Sequence, residues 1–313
     1  MSQTIPENIA RNAVEMRGEA GEKWISSLPS LVSECEERWS LTAGSPFPNL
    51  SYNFAAPASR ADGTIAVLNL SFPGEKEFRS EAEALKIFDG RGIARLLELD
   101  VESGAMLLER LEPGESLEAT EDDEEATAIA AEVMRKLWRP APPSHPFPTV
   151  AGWSKGFERL RASFDGGTGP MPTELVERAE KLFGELLASE ENLVLLHGDL
   201  HHGNILSSGR GWLAIDPKGV VGERAYETAA MLHNPASLLE KENPGKLLER
   251  RIEILSERLG LEASRVRGWR FAQSVLAAYW SLEDHGEVWE EALAFARLIP
   301  FRLISGIMRP CQT

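Results

Sequence analysis

NLVLLHGDLHHGNILSSGRGWLAIDPKG, residues 192–219, concentrates more chemistry than any other stretch of this 313-residue chain. Leu193 to Leu196 is an apolar run that reads as a short buried strand. It stops at His197-Gly198-Asp199, and Asn204 follows five positions after Asp199. Two more apolar segments, Ile205–Leu206 and Trp212–Ile215, flank Ser207-Ser208-Gly209-Arg210-Gly211, which predicts a β-hairpin with a glycine-containing turn. The second arm of that hairpin delivers Asp216 back beside the loop that carries Asp199 and Asn204. Two carboxylates and a carboxamide, with few positive charges beside them, suit a hard divalent cation with oxygen ligands, Mg²⁺ above others.

His-x-Asp with Asn at plus five, then Asp at the end of the next hairpin, resembles the catalytic core of protein kinases and aminoglycoside phosphotransferases. More narrowly, HGDLHHGN at 197–204 and IDPKG at 215–219 are similar to the aminoglycoside/hydroxyurea kinase family, which includes streptomycin phosphotransferases. The resemblance implies an α+β, protein-kinase-like fold of two lobes. Residues 1–112 would be an N-lobe with an antiparallel sheet and helices, covering the nucleotide. Residues 113–313 would be a mostly helical C-lobe with the catalytic loop and the acceptor site. It further implies phosphoryl transfer from ATP to a hydroxyl of a small molecule, a streptomycin-like aminoglycoside or hydroxyurea. Asp199 is then the catalytic base facing the acceptor, Asn204 and Asp216 hold Mg²⁺ on the ATP phosphates, and His197 supports the loop. The physics of the reaction agrees, because phosphoryl transfer needs a metal clamp and a positioned acceptor more than covalent chemistry.

A rival reading takes His197, His201 and His202 as transition-metal ligands, since Gly-Asp-x-His also opens metallophosphatase sites. That reading needs further ligand clusters downstream, where only His233 and His285 follow, neither in a ligand-spaced motif.

Composition narrows the field. Lys and Arg number 33 against 49 Asp and Glu, a formal net charge of −16. A nucleic-acid reader must offer a basic surface, so that class is disfavoured, whereas an acidic surface suits a cationic acceptor. No apolar run is long enough to span a membrane and the N-terminus lacks a signal pattern. Cys35 and Cys311 are far apart and imply neither a disulfide framework nor a zinc site. The expectation is a soluble, cytoplasmic protein with two free thiols.

Ahead of the core, residues 6–41 carry a helical pattern interrupted at Gly18 and Gly21, and Pro29 can open a second helix running to Trp39. This stretch is similar to the N-terminal extension of the same kinase family. Ser51–Ala56 and Thr64–Leu70 predict strands flanking an Asp62-Gly63 turn. By the resemblance they form the nucleotide-covering hairpin and the strand after it, although no Gly-x-Gly-x-x-Gly is present. Backbone N–H groups from Asn49 to Asn53 would then meet the phosphates. The family pattern places Lys in the following strand, where this chain has Asn69, while the helix Glu is retained as Glu81. Losing a charge-assisted phosphate contact costs about 1.5–3 kcal/mol. Lys76 or Lys218 is a candidate substitute, and a weakened or non-catalytic nucleotide-binding relative is the alternative function.

Leu96–Leu99 and Ala105–Leu111 predict two more strands, the second similar to the kinase hinge, so adenine would meet backbone groups near Glu109 and Leu111. Pro113-Gly114 marks the lobe boundary. The acidic run 118–125 reads as a solvated start to the helix Ala126–Trp138, in line with the helix dipole. Helices are predicted at Val150–Ser163, Thr173–Leu187, Leu247–Leu259, Ala263–Leu282 and Val288–Ile304. Glu227 stands where the family commonly has Asp and reads as structural. Glu283 and Asp284 lie near a helix C-terminus, where acids are disfavoured, which makes them candidates for a cationic acceptor.

Overall fold

A computed structural model describes residues 5–48, 50 and 52–299. The chain divides into two compact units, Met1–Gly114 and Glu115–Thr313. Cys311, Asn49, Ser51 and the end of the last predicted helix lie outside the described residues.

The first unit holds helices α1 (Glu7–Arg17) and α2 (Glu19–Trp39), strands β1 (Leu41–Ala43), β2 (Phe54–Arg60) and β3 (Ile65–Leu70), helix α3 (Lys76–Phe88), and strands β4 (Leu96–Asp100) and β5 (Ala105–Glu109). The strands form one antiparallel sheet in the order β1-β2-β3-β5-β4. Alternation explains its two faces: Phe54, Ala56 and Ala58 of β2 are buried, as are Ala66, Leu68 and Leu70 of β3. They share a core with Trp24, Leu28, Val32 and Cys35, which recur at helical spacing along α2.

That spacing also corrects the reading of Pro29. The helix break falls at Gly18, and α2 runs through Pro29 without interruption. The proline deprives the Ile25 carbonyl of its helical donor, but buried side chains on both sides of it keep the helix docked. Gly21 is required there, because a Cβ would come within 2.0 Å of the Ala13 carbonyl oxygen of α1. Strand β2 likewise extends past Pro57 to Arg60. Pro57 pairs with Val67 and its carbonyl accepts the Gly44 N–H at 2.7 Å. The turn is correspondingly tight, with Asp62 Oδ1 accepting the Thr64 N–H at 2.9 Å.

The chain passes from the first unit to the second within β6 (Pro113–Ser116). There follow α4 (Asp123–Leu137), β7 (Arg139–Pro140), α5 (Val150–Trp153), α6 (Lys155–Ser163), α7 (Thr173–Ala188), β8 (Val194–Leu196), β9 (Ile205–Ser208), β10 (Leu213–Ala214) and β11 (Val220–Gly222). Four helices complete the described chain: α8 (Arg224–Leu232), α9 (Pro244–Leu259), α10 (Ala263–His285) and α11 (Glu290–Arg297). The core is built around α10, which is buried on nearly every side from Val266 to Tyr279. Trp269 of α10 meets Phe183 of α7 and Tyr226 of α8 edge-on, with ring centroids 4.9 and 5.2 Å apart. Such geometry adds to the area term of burial.

The acidic run that leads into α4 is largely exposed, and three of its residues also serve the helix start. Asp122 caps the helix by accepting the N–H groups of Glu124 and Glu125. Asp123 pairs with buried Arg251, and Glu124 takes a bidentate bond from Arg250 at 3.0 and 2.7 Å.

Candidate active site

The candidate site of the second unit is a loop-and-hairpin assembly held by short-range bonds. Strand β8 brings the chain in and pairs antiparallel with β11, with Leu196 opposite Val220. At the end of β8 the chain turns sharply at Gly198, φ +88°, where a Cβ would lie 2.8 Å from a Val220 methyl. A short 3₁₀ turn, His202–Asn204, leads into β9, and β10 returns beside it with Ala214 opposite Ile205. The Ile215 N–H then donates to the Asn204 carbonyl at 3.0 Å, so the residue before Asp216 is fastened to Asn204 itself.

His197 is the pin of this assembly. Its Nδ1 accepts the Asp199 N–H at 3.3 Å, which leaves the proton on Nε2, and Nε2 donates to the Ile215 carbonyl at 2.8 Å. Its own carbonyl accepts the Gly219 N–H at 3.1 Å. The peptide before Asp216 and the residue three beyond it are thus both tied to His197. Between them Asp216 is exposed and adopts φ +58°, a left-handed conformation that Asp tolerates better than most residues. Burial pushes the imidazole down to about 4, so at neutral pH it is an uncharged support.

Asn204 completes the frame by donating from Nδ2 to the Asp199 carbonyl at 3.0 Å. Both backbone polar groups of Asp199 are therefore committed to the loop, one to His197 and one to Asn204. From behind, buried Glu227 of α8 accepts the His197 and Gly198 N–H groups at 2.7 and 2.9 Å. Burial raises its carboxyl to about 7 against the pull of those two N–H groups. Tyr226, one residue earlier, is buried close enough to Glu227 and Asp199 for both to raise its phenol, after the larger effect of burial. The sequence did not single out Tyr226, whose aromatic character reads simply as core.

The donor set fits a magnesium ion better than a transition metal. With Asn204 Nδ2 engaged, Oδ1 is the amide atom left for a hard cation, and Asp216 adds a carboxylate. Two oxygen ligands are few for a site made of protein alone, and magnesium commonly takes the rest from phosphate and water. Among the described residues no group of three or more His, Cys, Asp and Glu is placed to hold a metal. Two of the histidines have other partners, His197 as above and His201 Nδ1 by the Gly203 N–H at 3.1 Å, while His202 is buried. The three-histidine metallophosphatase reading loses His197, both of whose ring nitrogens are engaged in the loop.

The other sequence-derived candidates fall in two places. In the first unit Asn69 lies on β3, paired with Ala55 and Met106, and its Oδ1 is buried with no hydrogen-bond partner among the described residues. Glu81 is buried on α3, whereas Lys76 is exposed at the start of that helix. Glu109 ends β5, where its N–H donates to the Arg95 carbonyl at 2.8 Å and its side chain accepts the Arg95 N–H at 3.0 Å. That N–H is thus taken up in the sheet, while Leu111 stands past the end of the ladder. In the second unit Lys218 is half-buried against the loop, its Cβ 3.3 Å from where a Gly198 Cβ would be. Glu283, near the end of α10, receives Arg159 of α6 at 2.6 and 2.8 Å and the Tyr279 hydroxyl at 2.9 Å. The acid that the helix dipole disfavours is balanced by that arginine, which holds its carboxyl below the usual range. Asp284 is exposed beside it.

Known proteins resemble this chain in sequence and in fold. The model of the aminoglycoside/hydroxyurea antibiotic resistance kinase family matches residues 38–285. Streptomycin 6-kinase of Streptomyces glaucescens is 33% identical over 284 residues, 90% of this chain and 91% of that protein. Hydroxyurea phosphotransferase of Kitasatospora aureofaciens is 32% identical over 294 residues, 91% of this chain and 82% of that protein. Two solved structures share the protein-kinase-like fold. One is an aminoglycoside phosphotransferase in ternary complex with ADP and hygromycin B, TM-score 0.61 at 15% identity, covering 88% of this chain and 99% of that one. The other is choline kinase LicA from Streptococcus pneumoniae, TM-score 0.60 at 14% identity, covering 89% and 98%.

Proposed function

The chain belongs to the aminoglycoside/hydroxyurea antibiotic resistance kinase family, and from that footing we propose that it transfers the γ-phosphoryl group of ATP to a hydroxyl of a streptomycin-like aminoglycoside or of hydroxyurea. The observation that carries the reading is the single hydrogen-bonded frame linking Asp199, Asn204 and the approach to Asp216 through His197.

In this reading Asp199 orients the acceptor hydroxyl and accepts its proton as the bond to phosphorus forms. The loop earns that role by rigidity: a base whose backbone is fixed at both N–H and C=O holds its carboxylate in place without reorganising during the reaction. Asn204 Oδ1 and the Asp216 carboxylate hold Mg²⁺. The residues that would hold the ion would place its positive charge beside the phosphates, where it would offset the charge that develops in transfer. Glu227 and His197 keep these groups in register and take no proton from the acceptor. In the first unit, backbone groups around Glu109 and Leu111 receive the adenine, with the Glu109 N–H excluded because Arg95 occupies it.

Asn69 sets the expected strength of the phosphate contact. An amide supplies a dipole where a lysine supplies a charge, so we assign this chain weaker ATP binding than a lysine at position 69 would give. The acceptor site is expected to favour cations, in keeping with the net charge of −16, with Glu283 and Asp284 as candidate contacts. No helix among the described residues is long and apolar enough to cross a membrane, and the proposed setting is the cytoplasm. The test is transfer of label from [γ-³²P]ATP, with Mg²⁺, to streptomycin and to hydroxyurea, resolved from ATP by chromatography.

A further inference from the structure

Two arginines are buried side by side in kind but not in circumstance within the second unit. Arg251 of α9 is 2% exposed and fully answered: it pairs with Asp123 and donates to the carbonyls of Met231 and Asn234 at 3.3 and 2.7 Å. Arg270 of α10 is 0% exposed, and its Nε, Nη1 and Nη2 find no hydrogen-bond acceptor among the described residues. Its guanidinium carbon lies 5.5 Å from the centre of the Phe295 ring of α11. A ring face offsets part of a cation's charge but accepts none of five N–H groups in their plane. The acid whose charge reaches it, Glu249, is bound to Arg267 at 3.0 and 2.7 Å.

The surroundings repeat the pattern. Gln273 and Ser274, three and four residues on, share the face of α10 that carries Arg270. Gln273 Oε1 and Ser274 Oγ are buried without a hydrogen-bond partner among the described residues. So is Nδ1 of His233, which stacks edge-on against Trp289 with centroids 5.5 Å apart and lies within reach of the charge of Arg270. Buried polar groups are paired as a rule, and an unpaired guanidinium is among the most costly exceptions.

We propose that Arg270, with His233 and Ser274, forms a binding site for one small tetrahedral oxyanion, phosphate or sulfate, beneath helix α11. The planar fork of a guanidinium matches two oxygens of such an ion, while Ser274 supplies a hydroxyl and His233 a ring nitrogen. Full burial of Arg270 restricts the occupant to a small ion and makes α11, which carries Phe295, the cover that must move to admit it. The site is independent of the acceptor and nucleotide assignments above.

The test follows thermal unfolding and calorimetric binding of the full chain in oxyanion-free buffer, titrated with sodium phosphate or sodium sulfate against sodium chloride at equal ionic strength. Wild type should show a saturable rise in Tm and a one-to-one isotherm with each oxyanion, and chloride should give neither. Arg270→Met should be more stable than wild type without oxyanion, because the uncompensated charge is gone, and should lose the saturable rise. Arg270→Lys, which keeps charge but not the fork, should bind at least tenfold more weakly and serves if the Met variant does not fold. A phosphate response without a sulfate response would assign the site to phosphate alone. Equal Tm shifts for wild type and both variants, with no isotherm for wild type, would overturn the proposal.

Discussion

His197 donates from Nε2 to the carbonyl of Ile215 at 2.8 Å, and through that bond the loop that carries Asp199 holds the residue that precedes Asp216. The same imidazole accepts the N–H of Asp199. One buried, neutral ring therefore ties the proposed base to the proposed metal ligand.

Replacing His197 with Ala cuts both ties while leaving Asp199, Asn204 and Asp216 in the sequence. Residues that orient metal ligands typically cost 10–100-fold when removed. The variant is expected to lose about that much in kcat/KM and to need more Mg²⁺ for half-maximal rate. Titrating Mg²⁺ at saturating ATP checks this. An unchanged magnesium requirement would mean that His197 serves folding only.

Asn69→Lys places a charge on β3 at the position where the family resemblance implies one. Charge-assisted bonds exceed neutral ones by enough to give about a tenfold to hundredfold gain in ATP affinity. Isothermal titration with a non-hydrolysable ATP analogue is the measurement. If affinity does not rise, the phosphate contact is already supplied elsewhere, with Lys218 the residue to mutate next.

Glu227 carries a signed prediction for pH. Its folded value, about 7, lies above the ordinary 4.5. A carboxyl raised in the folded state contributes fully below pH 4.5 and loses that contribution as pH climbs through 7. Glu227→Gln cannot titrate, so the stability of wild type relative to this variant should grow by about 3 kcal/mol from pH 8 to pH 5. Urea denaturation of both proteins at the two pH values measures it. A difference that is flat with pH would show that Glu227 stays ionised throughout.

The histidines act in the opposite direction. Burial holds His197 at about 4 and His202 and His233 at about 3, against an ordinary 6.5. A base depressed in the folded state contributes fully above pH 6.5, and that contribution drains away as pH falls towards the folded value. Each should give up on the order of 3–5 kcal/mol across that window, which outweighs the single gain from Glu227. Unfolding midpoints followed from pH 7 to pH 4 should fall steeply, and His202→Gln should flatten the descent. A midpoint independent of acid would contradict the burial of all three as neutral rings.

The loop and hairpin could be read from sequence because everything that makes them is local: an apolar run, turn glycines and fixed offsets between Asp199, Asn204 and Asp216. Four of the first unit's five strands were legible in the sequence; β1 was missed because Leu41 reads as the end of the preceding helical pattern, and β2 was cut short at Pro57, since a proline reads as a stop until a neighbouring strand is seen to accept it. Pro29 misled for the same reason, because the side chains that hold α2 straight are buried by the sheet and not by their own helix. Glu283 shows the limit most clearly. Its partner Arg159 is 124 positions away, and no spacing rule links them. Arg270 was equally silent, as an arginine in a helix reads as surface until the fold closes over it.

The most direct measurement compares wild type with Asp199→Ala for label transfer from [γ-³²P]ATP to streptomycin and hydroxyurea, alongside magnesium-dependent ATP binding. The account predicts a labelled small-molecule product from wild type, a loss of at least a thousandfold in Asp199→Ala by analogy with the removal of other essential catalytic groups, and ATP binding retained by both. Saturable ATP binding by wild type with no product from either acceptor, or transfer that survives the loss of Asp199, would contradict it.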